Sequence, residues 1–313
     1  MSRYFDPISM QLGKRAPDSF AAALGRSFRE TGFAVITDHG LDEVLIQDAV
    51  AATKAFFALP APAKLGYFDA EGGGQRGYTP FGTENAKGRQ HADLKEFWHT
   101  GRAGMEATPL ASLMPPTPSV NEIPAFDECT RNLFEALDRL GRDLLSAIAI
   151  DLGLPAHWFN AKVEHGNSIL RLLHYPAQTE SPAPSSVRAA PHEDINLITL
   201  LLGAEEAGLE VKHRSGDWLA VNPPAGALVV NVGDMLSRLT QNILPSTTHR
   251  VVNPSKARAS HARYSTPFFL HFAPDILIEP LESCDQQGQA RPANITAQDY
   301  LMERLREIGL VKD

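Results

Sequence analysis

Two residues with metal-binding side chains, His192 and Asp194, stand two positions apart at the head of an apolar run that ends at Leu202. This run is rich in leucine and β-branched residues, so it predicts one buried strand over 191–202. Because side chains alternate along a strand, the imidazole and the carboxylate are expected to point the same way. His249, in a later strand-like run, could complete a set of two histidines and one carboxylate. Such a set leaves coordination positions open and is typical of non-haem Fe(II) centres; Zn(II) is the less suitable alternative.

A carboxylate-binding pair is predicted shortly after His249. Arg263 and Ser265 begin another strand-like run, and alternation places them on one face. A guanidinium beside a hydroxyl can hold a carboxylate through charge-assisted hydrogen bonds. In the run 168–175, alternation likewise makes Arg171 and Tyr175 candidates for contacts to a carboxylate or a substrate. The alternatives are a surface ion pair for Arg263 and a place on the outside of the sheet for Arg171.

The elements that must position these side chains are short strands. From residue 166 onward they recur between glycines and prolines, at 168–175, 194–202, 208–212, 217–221, 227–232, 247–252 and 263–272. Regular short strands favour a sandwich or barrel over alternating strands and helices. The segment 231–234 predicts a strand end followed by a turn, with an architectural role. We therefore expect a cupin-like jelly roll, a double-stranded β-helix, with the metal at one mouth.

Helical patterns surround this β core. A helix, a strand and a second helix are predicted over 17–59, and an apolar face over 126–148 predicts a long helix against which the sheet packs. Thr296 is expected to begin a last helix. The fold class is thus α+β with a mainly β core. The Gly-rich stretch 71–91 predicts either a loop over the site or a solvated connector.

Composition limits the classes of partner. The chain has 313 residues, with 29 Lys and Arg against 37 Asp and Glu, for a formal charge of -8. A net negative charge argues against general binding to nucleic acid or an anionic membrane. Two cysteines, no apolar run of spanning length and no secretory start favour a cytoplasmic protein without disulfides. A small-molecule substrate is the expected partner, and the sequence does not indicate an oligomeric state.

Six segments together resemble the isopenicillin N synthase-like branch of the Fe(II)/2-oxoglutarate-dependent dioxygenases: residues 29–40, 171–176, 192–194, 231–236, 249–254 and 263–265. The resemblance covers nearly the whole chain. It implies four regions within one compact unit: an N-terminal non-haem dioxygenase region at 1–120, a backing helix and connector at 121–160, a jelly-roll core at 161–280 and a C-terminal helix at 281–313.

The resemblance also implies a set of cofactors and roles. Fe(II) is expected on His192, Asp194 and His249, and 2-oxoglutarate is expected to chelate it. The far carboxylate of 2-oxoglutarate would lie on Arg263 and Ser265, with Tyr175 nearby. Arg171 is a candidate for a contact to the substrate or cosubstrate. The implied reaction is oxidation of a small molecule by O2, by default hydroxylation, with release of succinate and CO2.

Three other readings stay open at this point. An oxidase of the isopenicillin N synthase type would use no 2-oxoglutarate, and the Arg263 and Ser265 pair would then hold a substrate carboxylate. An ethylene-forming enzyme would fragment 2-oxoglutarate itself. A protein of a different class would be a non-catalytic metal-binding barrel that senses a small acid. The sequence identifies neither the substrate nor the choice among hydroxylation, desaturation and cyclisation.

Overall fold

The computed structural model describes residues 4–70, 74–83, 94–177, 188–202, 208–253, 260–286 and 290–307. Within these ranges there are eight α-helices: α1 Met10–Arg15, α2 Pro17–Thr31, α3 Glu43–Phe57, α4 Ala61–Leu65, α5 Phe126–Asp151, α6 Asn160–Val163, α7 Asp234–Leu239 and α8 Ala297–Glu307. The same ranges contain fourteen strands: β1 Ile8–Ser9, β2 Phe33–Thr37, β3 Gly77–Thr79, β4 Glu96–Gly101, β5 Ile169–Tyr175, β6 Ala189–His192, β7 Ile198–Leu202, β8 Leu209–Lys212, β9 Trp218–Ala220, β10 Leu228–Val232, β11 His249–Val251, β12 Arg263–Leu270, β13 Leu277–Ile278 and β14 Ile295–Thr296.

Two sheets form the β core. The larger has eight strands in the order β1-β2-β10-β7-β12-β5-β4-β3, and the smaller has four in the order β6-β11-β8-β9. Apolar side chains from both sheets meet in one buried cluster, in which Phe33 and Val229 of the larger sheet accompany Val211 of the smaller. The two sheets therefore face each other, and the expected jelly roll is confirmed. We call the side of the eight-stranded sheet that looks toward the smaller sheet its inner face.

The long helix α5 covers the opposite side of the eight-stranded sheet, which we call the outer face. Phe134 of α5 meets Phe268 of β12 edge to face, with ring centroids 5.1 Å apart. Gly141 of α5 allows a close approach, because a Cβ there would lie 2.4 Å from Cδ1 of Leu270. Burying a side chain such as Phe268 contributes roughly 1.5–3 kcal/mol to folding. The predicted backing helix is confirmed.

The single strand predicted over 191–202 is wrong. Strand β6 ends at His192 in the smaller sheet, and β7 begins at Ile198 in the larger one. Between them the backbone turns, because its carbonyls accept hydrogen bonds from the start of α7. Asp234 N donates to Asp194 O at 2.7 Å, and the next amide donates to Asn196 O at 3.1 Å. Asp194 therefore lies in the crossing between the sheets, and strand alternation does not explain why it meets His192.

Glycine permits this crossing. A Cβ at Gly233 would lie 2.2 Å from the carbonyl oxygen of Asn196, so that any other residue would push the two segments apart. The turn expected after Val232 is in fact the first turn of α7. Gly233 thus fixes how the β10 end and the Asp194 segment fit together.

The Gly-rich stretch 71–91 contains a strand where a loop was expected. Residues 77–79 form β3, which pairs antiparallel with β4 at the edge of the larger sheet. Residues 71–73 and 84–91 of this stretch lie outside the described residues. This edge strand extends the inner face beyond the site residues that the sequence identifies.

Two smaller observations complete the fold. Cys129 and Cys284 are both free thiols, as expected. Among the described residues, none of the helices combines the length and the apolar character that crossing a bilayer requires.

Candidate metal centre and its surroundings

Three side chains that the sequence identified meet between the two sheets. His192 at the end of β6 lies opposite His249 at the start of β11 in antiparallel register, and their ring centroids are 4.4 Å apart. Asp194 Oδ1 lies 3.8 Å from Nε2 of each imidazole. One ligand atom from each residue lies within 4.8 Å of the other two. Small side-chain rotations would bring all three to the ~2.1 Å that a divalent metal needs.

Hydrogen bonds orient both imidazoles. Nδ1 of His192 lies 2.7 Å from Ala190 O, and Nδ1 of His249 lies 3.2 Å from Thr247 O. Because a carbonyl only accepts, each Nδ1 carries the proton and each Nε2 presents its lone pair to the cluster. The pKa of His192 is lowered to about 4, first by desolvation and then by the neighbouring His249. The His192 ring is therefore held as a neutral ligand.

Asp194 is supported on one of its two oxygens. Oδ2 accepts hydrogen bonds from Thr199 Oγ1 at 2.6 Å and from Asn231 Nδ2 at 2.8 Å. Oδ1 is left facing the imidazoles. Burial by itself would raise the pKa of Asp194, but the two histidines and these hydrogen bonds outweigh it and hold that pKa below its usual range. The carboxylate is thus an ionised ligand aimed by its neighbours.

This donor set fits Fe(II). Two imidazole nitrogens and one carboxylate oxygen, grouped on one side, leave adjacent coordination positions open for further ligands. Closed structural zinc sites have a fourth protein ligand instead. Among the described residues, these three are the His, Cys, Asp and Glu side chains grouped closely enough to hold a metal ion.

The predicted carboxylate-binding residues lie together on the inner face. Arg263 on β12 is opposite Tyr175 on β5, and its Cζ is 5.1 Å from the centre of the Tyr175 ring. Ser265 is two residues further along the same strand. Arg263 is 3% exposed and Ser265 5%. The surface position that the sequence left open as the alternative for Arg263 is therefore wrong.

Arg171 is also on the inner face and is held between aromatic rings. Its Cζ lies 4.3 Å from the centre of the Phe97 ring and 5.3 Å from that of Phe269. Its Nε donates to His99 Nε2 at 2.6 Å, while His99 Nδ1 donates to Gly74 O at 2.6 Å. The outside position that the sequence left open for Arg171 is wrong.

Sequence reasoning missed three residues around these groups. Thr199 and Asn231 hold Asp194, although the 231–234 segment predicted only architecture. Arg188 is fully buried, and its Cζ lies 5.8 Å from the ring of Tyr175, close to Arg263. A lone arginine among small residues was the available signal for Arg188. No local pattern connects Asn231 to a carboxylate 37 positions away.

Comparison with known proteins decides the family. Residues 6–122 match the family described as non-haem dioxygenase in morphine synthesis N-terminal, and residues 166–272 match the 2OG-Fe(II) oxygenase superfamily. A 2-oxoglutarate-Fe(II) type oxidoreductase of Emericella nidulans is 32% identical over 280 residues, which cover 86% of this chain and 79% of that protein. The chain belongs to the 2OG-Fe(II) oxygenase superfamily.

Solved structures of this superfamily have the same fold as the oxygenase described here. A 2OG-Fe(II) oxygenase family protein from Caulobacter crescentus is 50% identical, with a TM-score of 0.91 over 98% of this chain and all of that one. A full-length Neurospora crassa protein, solved in complex with alpha-KG and thymine, is 28% identical, with a TM-score of 0.84 and 96% of each chain covered. The oxygenase is thus an oxidoreductase whose cofactors are Fe(II), 2-oxoglutarate and O2.

Proposed function

We propose that His192, Asp194 and His249 hold the iron of this 2-oxoglutarate-dependent oxygenase, and that Arg263, Ser265 and Tyr175 hold the far carboxylate of 2-oxoglutarate. The observation that carries the proposal is the convergence of two Nε2 lone pairs and one Asp194 oxygen on a single point. Each of these atoms is aimed by a hydrogen bond on the other side of its own ring or carboxylate. Such outer partners fix ligand orientation in metal sites generally.

The chemistry of Arg263 suits the proposed role. A planar guanidinium binds a carboxylate through two parallel hydrogen bonds, and burial strengthens this interaction because little water competes for it. Ser265 adds a hydroxyl donor on the same face. The ring of Tyr175 supports the guanidinium from one side. The inner face would thereby fix the end of 2-oxoglutarate that is remote from the metal.

The protein's share of the reaction is binding, orientation and exclusion of water. Bound Fe(II) with 2-oxoglutarate and O2 supplies the oxidation, by default a hydroxylation with release of succinate and CO2. The side chains of Phe97, Arg171 and Phe269 form one cluster on the inner face. Phe269 is paired with Thr199, which supports Asp194. We place the small-molecule substrate there, with Arg171 as one of its contacts.

Anaerobic reconstitution with Fe(II) tests the proposal. Purified enzyme should bind about one Fe(II), and titration calorimetry should then detect 2-oxoglutarate binding that depends on the metal. Replacement of the Arg263 guanidinium in Arg263→Gln should weaken 2-oxoglutarate binding by roughly two orders of magnitude, since a buried charge-assisted pair is lost. The matched control is Arg250→Gln, because Arg250 pairs with Glu210 on the face of the smaller sheet opposite to the His249 side chain.

Succinate release distinguishes the remaining reactions. A 2-oxoglutarate-dependent hydroxylase releases succinate faster when its substrate is added. An oxidase of the isopenicillin N synthase type consumes O2 with a substrate but forms no succinate, and an ethylene-forming enzyme consumes 2-oxoglutarate without a second substrate. A non-catalytic sensor would bind 2-oxoglutarate without any O2 uptake, which would contradict the proposal outright.

A further inference from the structure

Arg76 is a buried cation without an acidic neighbour. It is 6% exposed, and among the described residues no carboxylate lies within ion-pairing distance of it. Nη2 donates to Asn167 Oδ1 and Nη1 donates to Gln75 O, both at 2.7 Å. Nε is buried without a hydrogen-bond partner, so that the guanidinium uses only part of its five N–H donors. A buried charge left in this state is unfavourable unless something else compensates it.

The guanidinium of Arg76 lies on the inner face. A Cβ placed on Gly101 would be 2.0 Å from Arg76 Nε and 2.4 Å from its Cζ, so the group lies directly over the bare backbone of that glycine. On β4, Gly101 is two residues beyond His99, and alternate residues share a face. His99 receives the hydrogen bond from Arg171. Arg76 and Arg171 are therefore neighbours on one surface.

A second buried polar group next to Arg76 also lacks a partner. His271, one residue beyond β12, is 6% exposed, and its Nδ1 has no hydrogen-bond partner. The pKa of His271 is lowered to about 4, first by burial and then by the positive charge of Arg76, while the charge of Asp194 acts in the opposite direction. A neutral imidazole can donate one hydrogen bond, from the ring nitrogen that carries the proton.

Strand register locates Arg76 relative to the metal. One row of inner-face residues runs across five strands through paired positions: Asn231, Thr199, Phe269, Ile169 and Gly101. The first two hold Asp194, and the last lies under Arg76. Three strand spacings separate Thr199 from Gly101, which is roughly 14 Å in the direction perpendicular to the strands. Arg76 thus lies across the inner face from the residues that support Asp194.

Arg263 is too far from Arg76, in the direction of the strands, for one carboxylate to contact both arginines. It precedes Phe269 by six residues on β12, which is roughly 20 Å of extended strand. A 2-oxoglutarate with its keto acid end on the metal and its far carboxylate on Arg263 has no carboxylate left for Arg76. The unused donors of Arg76 and His271 therefore belong to a different ligand.

We propose that Arg76 and His271, beside Arg171, form a subsite for a carboxylate of the primary substrate, so that the enzyme oxidises a small organic acid at a carbon several bonds from that carboxylate. The inference rests on the proposed function of the metal centre. A carboxylate matches the planar guanidinium edge and supplies the negative charge that the described surroundings of Arg76 lack. The subsite also gives the chain, which carries a net charge of -8, a local means of attracting an acid.

The competing explanation is that Arg76 only stabilises the start of β3, through its hydrogen bond to Asn167. This structural role requires the hydrogen bonds of Arg76, but it does not depend on the charge of any ligand. It leaves the Nε of Arg76 and the Nδ1 of His271 without a purpose. The two explanations differ in one measurable respect, because only the subsite distinguishes a charged ligand from a neutral ligand of the same shape.

The test uses matched pairs of probes on the Fe(II)-loaded full chain with 2-oxoglutarate and O2. Benzoate, 3-phenylpropanoate and octanoate are each compared with their primary amides as stimulators of succinate release. Wild type should be stimulated by at least one acid, at a KM at least tenfold lower than that of its amide. Arg76→Gln should remove this preference, mainly through KM, and should leave the Kd of 2-oxoglutarate within twofold of wild type. Arg76→Lys, which keeps the charge, should retain part of the preference, and Arg250→Gln should retain all of it.

Other outcomes would overturn the subsite. It is wrong if amides stimulate as well as acids, if no acid stimulates an enzyme that binds 2-oxoglutarate, or if Arg76→Gln raises both KM values equally. An equal rise of both KM values together with a lower unfolding midpoint is the result expected if Arg76 has only the structural role. If Arg76→Gln does not fold, two other variants decide. The subsite is wrong if folded Arg76→Lys loses the acid preference completely while His271→Phe keeps it unchanged. Failure of wild type to bind 2-oxoglutarate would instead refute the proposed function itself.

Discussion

The two faces of the eight-stranded sheet use the same strands for different purposes. On the outer face, Leu170, Leu200 and Phe268 are fully buried against α5. On the inner face, alternate residues of the same strands include Arg171, Arg263 and Ser265. Because alternation assigns neighbouring residues to opposite sides, one short strand contributes to folding and to chemistry independently. The outer face can therefore be apolar while the inner face carries charge.

Polar groups occur on both faces, but their hydrogen bonding differs. On the outer face, Glu96 accepts from Lys64 at 2.8 Å and from Tyr78 at 2.5 Å, and it also bonds to His174 at 2.7 Å. These buried groups satisfy one another. On the inner face, Arg76 retains donor capacity without a protein acceptor. Satisfied networks stabilise a fold, whereas a buried donor without a protein partner requires another explanation, such as an ordered water or a ligand.

The largest effect expected from breaking the inner face is loss of the metal. In His249→Ala, iron content and succinate release should fall by more than roughly 100-fold. That factor is the upper range of the loss when a residue that only supports a metal ligand is replaced. The unfolding midpoint of the metal-free protein should change little. Metal analysis and a coupled succinate assay measure the first two quantities. The exposed His261 provides the control His261→Ala, and full iron occupancy in His249→Ala would refute the ligand assignment.

The outer face should respond in the opposite way. Phe268→Ala removes a fully buried ring that contacts Phe134, so the free energy of unfolding should fall by about 3–5 kcal/mol. The affinity of the folded fraction for 2-oxoglutarate should not change. Phe269, the next residue along β12, points to the inner face beside Arg171. Urea unfolding should show a smaller loss for Phe269→Ala, and equal losses in the two variants would contradict the division between the faces.

The Glu96 cluster adds a pH dependence to the stability of the outer face. Burial alone would raise the pKa of Glu96, but hydrogen bonds from His174, Lys64 and Tyr78 outweigh it and lower that pKa below its usual 4.5. A carboxyl whose pKa is lower in the folded state stabilises the fold above its unfolded-state pKa and loses this contribution as the pH falls through the folded-state value. Glu96→Gln should cost about 2–3 kcal/mol at neutral pH and less in acid.

Urea unfolding of wild type and Glu96→Gln at several pH values between about 3 and 7 measures this difference. The two curves should converge toward low pH. Glu30→Gln, at an exposed position on α2, should follow wild type throughout. A constant gap between wild type and Glu96→Gln at every pH would show that shape, not charge, accounts for the loss.

The smallest expected effect concerns the support of Asp194. Asn231→Ala removes the 2.8 Å hydrogen bond to Oδ2 and should weaken Fe(II) binding about 10–100-fold. Anaerobic metal titration measures it, with the exposed Asn121→Ala as control. An unchanged metal affinity in Asn231→Ala would mean that Thr199 alone orients the carboxylate.

The sequence by itself determined which residue types could do the chemistry and which strand face most of them occupy. Alternation along one strand placed Arg263 with Ser265 correctly, since both belong to a single unbroken element. The apolar face over 126–148 likewise predicted α5, because helical periodicity is local. These features depend on neighbours within one element, and a linear pattern therefore contains them.

Only the tertiary structure decided how His192 meets Asp194 and why Arg76 is buried. The first depends on carbonyls at 194–196 that bind amides of α7, about 40 residues later. The second depends on the missing side chain of Gly101, which makes room for a guanidinium from the residue before β3. Backbone hydrogen bonds and close approaches between distant segments have no periodicity in the sequence. For this reason the pattern identified three residues that do converge while assigning two of them to the wrong element, and it did not single out Arg76 at all.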